Sequence, residues 1–178
     1  MSITTRVMML LISALIGFGQ GYQPVCSFNY GAGKKERVRE GFFFCVKWGT
    51  IFLAALGIIC FVFAPGIIEL FIHDTENTDP ALRIQVIRVG QTALRCQAAI
   101  LPINAFIVMT NMMLQSMGKG IKASITASAR NGLFFIPAIL ILPVFFGLTG
   151  VEITQSVADV LTLLMSIPFA VQELKKLK

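Results

Sequence analysis

Long apolar runs, each near the length of a bilayer crossing, govern what this chain can fold into. The hydrocarbon core of a membrane takes about 20 apolar residues of helix. The stretch "GFFFCVKWGTIFLAALGIICFVFA", from Gly41 to Ala64, fills that length with one lysine inside it. Of 178 residues, 56% are hydrophobic and 13% are charged, where soluble domains carry about 25% charged residues. A soluble domain of this length could not hide so much apolar surface. The fold class expected is all-α, a polytopic transmembrane bundle of about five helices over a single unit, residues 1–178.

The spans are expected at about 3–28, 35–64, 80–117, 121–146 and 151–173. Pro65 should end the second, leaving "GIIELF" as a short interfacial helix before the polar loop "HDTENTD". Asp79 is a good N-cap, with Pro80 at the first helical position. Pro102 should bend the third helix, and the fourth holds Pro137 and Pro143. Proline is tolerated inside a span where neighbouring helices satisfy the freed backbone, so these helices should pack on one another. "GLTG" turns the chain before the last span. Gly118-Lys119-Gly120 is a plain turn, because the residue order of a phosphate loop is absent.

The net charge of +6 sits in short loops, where it sets orientation. Lys34, Lys35, Arg37 and Arg39, then Lys119 and Lys122, then Lys175, Lys176 and Lys178 are expected on the cytoplasmic side of a cell membrane. Glu69, Asp74, Glu76, Asp79 and Glu152, against Arg83 and Arg88, are expected outside. The C-terminus is then cytoplasmic and Met1 external. A helix that starts outside with Arg6 is a poor first span, so the chain is expected to be the C-terminal piece of a longer protein. No basic stripe with interleaved aromatics is present, and nucleic acid is not an expected partner. Cys26, Cys45, Cys60 and Cys96 read as small hydrophobes. His73 is the one histidine, so no metal site or catalytic constellation can be assembled. The expected partner is the lipid bilayer. The apolar N-terminal run leads into Gln-Gly-Tyr-Gln-Pro, unlike a signal-peptide cleavage site.

The first span carries Gly17, Gly19, Gly21, Gln20, Gln23 and Pro24. That composition predicts a discontinuous helix, which survives at membrane depth where it lines a watery cavity; the alternative is a helix that ends at the membrane interface. Gln20, Gln23, Pro24 and Asn29 are therefore candidates for a substrate cavity. Asn104, Asn111 and Gln115 share one face of the third helix and could line the same cavity or bond between helices. Asp159 is the acidic residue within a span, so it is either a cation ligand or, the preferred reading, an ion-pair partner for Arg95 or Arg130. Phe42 to Phe44, with Phe134 and Phe135, are expected to meet lipid rather than stack on a ligand.

"GQGYQPVCSFNYGAGKKERVREGFFFCVKWG" resembles the block after the second helix of the C-terminal lobe in multidrug and toxic compound extrusion (MATE) transporters. The matching residues are Gly17, Gln20, Gln23, Pro24, Asn29, Tyr30, Gly31, Ala32, Arg37, Val38 and Glu40. "NMMLQSMGKGIKAS" is similar to the loop after the tenth family helix. "PVFFGLTGVEITQSVADVLTLLMSIPFAVQELKKLK" is similar to the last turn and final helix. The resemblance implies helices eight to twelve of a twelve-helix fold, with an N-terminal lobe as the missing partner. It also implies export of cationic, amphipathic drugs in exchange for sodium ions or protons, with no cofactor. One family branch has an acidic residue in its tenth helix, and "GQTALRCQAAILPINAFIVMTNMM" has none. The main coupling-ion site is therefore expected outside this chain. A lipid-linked sugar flippase of the same superfamily and a non-transporting membrane scaffold are the alternatives.

Overall fold

The computed structural model describes residues 2–72 and 80–177. The expected polar loop and the Asp79 cap fall outside the described residues. Within them the chain is helical throughout: α1 (Ser2–Gly31), α2 (Lys35–Ile72), α3 (Pro80–Ser116), α4 (Gly120–Ser128), a π-helical turn (Ala129–Leu133) and α5 (Phe135–Lys176). Five stretches are long and apolar enough to cross a membrane: Arg6–Gly31, Lys35–Ile67, Val89–Ser116, Gly120–Phe145 and Ile153–Lys176.

Two helices differ from the sequence expectation. α1 is one continuous helix through Gly17, Gly21 and Pro24 rather than a broken one. A proline removes a single backbone donor, and the packed neighbours of a membrane helix absorb that loss. α2 likewise runs through Pro65 to Ile72, so "GIIELF" belongs to the same helix.

The fourth expected span is built in three parts. α4 ends at Ser128, the π turn follows, and α5 starts at Phe135. The Phe134 N–H donates to the Ala129 carbonyl five residues back, at 3.0 Å. Pro137 supplies the cause: it lacks an N–H, and its ring would strike the Leu133 carbonyl in a straight helix. Helix geometry therefore restarts, with Pro137 in the first turn of α5. α5 is itself broken at Gly147 (φ 57, ψ −134), a left-handed backbone open to glycine. Gly150 lies against the Leu142 carbonyl, which a straight helix would hold about 12 Å away. The "GLTG" turn thus separates an arm at 135–146 from the final arm at 148–176.

α3 is the axis of the bundle and packs on α1, α2, α4 and α5. Of its span, 56% is buried, against 33% or less in the other four. Leu94, Leu101, Ala105, Met109 and Met113 of α3 meet Leu15 of α1, and Phe42 and Leu53 of α2. Large apolar side chains outside this core, such as Phe63, Phe145 and Val144, stay exposed, as lipid-facing residues do. Small residues let helices approach closely in a membrane. A Cβ added at Gly57 would lie 2.8 Å from the Ala98 carbonyl oxygen. Gly57→Ala should therefore push α2 from α3 and cost about 1–3 kcal/mol. Thermal unfolding in micelles checks this, with Gly66→Ala, which meets nothing within 4 Å, as the control.

Candidate functional site

Bonded polar side chains gather in two places along α3, one partly exposed and one buried. Seven residues, about 10 Å of helix, separate their centres at Asn104 and Asn111.

The first is a relay of amides near the basic end. The Gln23 Nε2 donates to Gln115 Oε1 (3.0 Å), Gln115 Nε2 to Asn111 Oδ1 (2.5 Å), and Asn111 Nδ2 to the Ala123 carbonyl (2.8 Å). It ties α1 to α3 and α3 to α4. The Ser27 hydroxyl adds a bond to the Ser116 carbonyl at 3.2 Å.

The second surrounds Asp159, which is buried on α5. Its Oδ1 accepts from Arg130 Nε at 2.9 Å and from Gln155 Nε2 at 3.2 Å, and its Oδ2 accepts from Asn104 Nδ2 at 3.2 Å. The carboxylate is thus held by α3, the π turn and its own helix together. Charge-assisted bonds of this kind are the strong ones, and they let a charged pair stay out of water. A cavity of about 440 Å³ opens beside the pair. Its apolar side is Met8, Met9, Ile12 and Ile16 of α1 with Phe135 of α5. Its polar side adds Ser13, Gln97, Asn131 and Gln155 to Asn104, Arg130 and Asp159. The buried Oδ1 of Asn104 has no hydrogen-bond partner among the described residues.

The candidates read from sequence are divided between these places. Gln23, Asn111 and Gln115 make the relay, and Asn104 and Asp159 make the cavity wall. Gln20 and Pro24 are exposed and line neither. The Asn29 amide donates to the Val25 carbonyl on its own helix, at 2.8 Å. Of the two arginines weighed as partners for Asp159, Arg130 is the one bonded to it. Arg95 lies over the Phe61 ring, 5.6 Å from its centroid. Phe42 is buried in the core, edge-on to Phe106 at 6.1 Å, while Phe43 and Phe44 are exposed. Among the described residues no group of three His, Cys, Asp or Glu could hold a metal ion.

Sequence reasoning missed Gln97, Asn131 and Gln155. Gln155 had a signal: it precedes Asp159 by one helical turn on the same face. It also missed a buried pair at the basic end. Glu173, 1% exposed, meets Lys122 at 2.6 Å and Lys176 at 3.2 Å.

Membrane-length helices that bury a bonded arginine–aspartate pair beside an amphipathic cavity define a multi-pass membrane protein with a polar site inside its spans. The chain belongs to the MatE family, whose model matches residues 1–141. It is 26% identical over 145 residues to the multidrug export protein MepA of Staphylococcus haemolyticus (strain JCSC1435), covering 82% of this chain and 30% of that protein. A crystal structure of a MATE protein in complex with MaL6 superimposes with a TM-score of 0.88 at 21% identity, over 99% of this chain and 38% of that one. The inward-facing structure of a multidrug resistance MATE family transporter of the MOP superfamily gives 0.87 at 22% identity, over 98% and 39%. The chain therefore spans about a third of the length of these relatives. The family consists of transporters, not enzymes.

Proposed function

We propose that this chain forms one wall of a secondary active transporter that exports cationic or amphipathic compounds in exchange for sodium ions or protons. The observation that carries the proposal is the cavity beside Asp159, which joins an apolar side from α1 to a polar side from α3, the π turn and α5. An amphipathic ligand needs both kinds of surface, and ligand pockets pair apolar walls with a few placed polar groups. Transporters of this kind place the site between two bundles that rock against each other. The second bundle would be the further lobe that the length of the relatives implies, and the main coupling-ion site would lie there. Reconstitution in liposomes under an imposed sodium or proton gradient tests this. The full-length transporter should accumulate a cationic dye, and this chain alone should match empty liposomes. Gradient-driven uptake by this chain alone would overturn the one-wall reading.

The orientation follows from charge. The α1–α2 turn, the α3–α4 turn and the end of α5 lie at one end of the bundle, where Lys35 Nζ donates to the Lys176 carbonyl at 3.0 Å and Lys122 meets Glu173. We assign that end, and with it the C-terminus, to the cytoplasmic face of the cell membrane. Cysteines placed at Lys119 and Lys175, in a background lacking the native cysteines, should resist an impermeant maleimide on intact cells and react after permeabilisation. Labelling of both from outside would invert the assignment.

A further inference from the structure

The wall around Asp159 offers a ligand no net charge. Each oxygen of the carboxylate is already engaged: Oδ1 by Arg130 and Gln155, Oδ2 by Asn104. Among the described residues, the one full positive charge at the cavity, Arg130, is spent on the one full negative charge, and the remaining polar groups lining it are amides and a hydroxyl. A cation entering here meets a closed ion pair, and it gains the charge of Asp159 only by displacing a guanidinium that is already bonded and mostly buried. What the wall does leave to a ligand is its apolar side and the uncharged amides of Gln97 and Asn131.

We infer that Arg130 is a specificity-determining residue: it cancels Asp159, so that this wall selects the uncharged part of an amphipathic ligand and not its charge. The apolar body of the ligand lies on Met8, Ile12 and Phe135. The π turn is part of the device. It brings Arg130, Asn131 and Phe135 to the same cavity, and π turns within helices are frequent at functional sites. The inference rests on the transport reading above and sharpens which wall reads what.

Two probes of the same shape and opposite charge, tetraphenylphosphonium and tetraphenylborate, test it in the purified full-length transporter. Arg130→Gln leaves the wall negative, Asp159→Asn leaves it positive, and the double variant leaves it neutral. Two charges about 4 Å apart near a protein surface interact strongly enough to change affinity tenfold or more. Arg130→Gln should therefore tighten the cation and weaken the anion, each by about tenfold or more. Asp159→Asn should do the reverse, and the double variant should return both to within about threefold of the native values. Binding is counted per folded molecule, so partial unfolding of a single variant lowers both probes alike and cannot mimic opposite shifts. Shifts of both probes in the same direction, or a double variant that does not revert, would overturn the inference while leaving the transport reading standing. Failure of the native transporter to bind either probe would overturn both.

Discussion

Arg130→Met should cost the bundle about 3–5 kcal/mol, because it leaves a buried carboxylate without its counter-ion. Asp159 is about nine-tenths enclosed and its bond to Arg130 is 2.9 Å long. With Arg130 gone, Asn104 and Gln155 still donate to it, but both are neutral and neither cancels the charge. The Arg130→Met, Asp159→Leu double variant should recover most of the loss, since an apolar pair of similar volume replaces the ion pair with little penalty. Unfolding by denaturant in micelles, run as a double-mutant cycle, reads the coupling directly. A double-variant loss equal to the sum of the two single-variant losses would mean that the two residues contribute separately and that the pair is incidental to stability.

The apolar runs made the membrane spans legible, since bilayer thickness sets helix length whatever the fold. Where the reading failed, backbone context overrode a local rule. Gly17, Gly21 and Pro24 look like helix breakers in isolation, yet α1 is continuous because α3 packs along it and the relay from Gln23 fixes it there. The π turn changes the register of everything after it. A straight helix continued from Arg130 would turn Phe134, Pro137 and Ile141 inward. Instead Ala138 is buried, Phe135 lines the cavity, and Pro137 and Ile141 are exposed. No hydrophobic period computed across the turn could show that. The face of Asn104 and Asn111 was readable from spacing alone, but its use was not. The partners of Asn104 and Gln23 lie 55 and 92 residues away in sequence, and only the packing order of α1, α3 and α5 brings them together.

The buried acid at the other end of the final arm has an expectation of its own. Lys122→Met should destabilise the packing of α4 on α5 by about 2–3 kcal/mol, less than the loss at Arg130 because Lys122 is partly exposed and water screens it. Glu173 would keep only Lys176, whose side chain is 57% exposed and whose ammonium lies 3.2 Å away. The loss should also be local. Asp159 and Glu173 are about 21 Å apart along the arm, and each is bonded to the segment that runs from α4 through the π turn. Two ion pairs at such a spacing fix both position and tilt, which makes that segment and the final arm one rigid unit. A rigid unit suits a wall that must rock as a body during transport. Hydrogen exchange should show it: Lys122→Met should speed exchange in residues 120–128 and near the end of α5, with the amides around Asn104 unchanged. Faster exchange at both ends would mean that the pairs do not act separately and that the bundle opens in a single step.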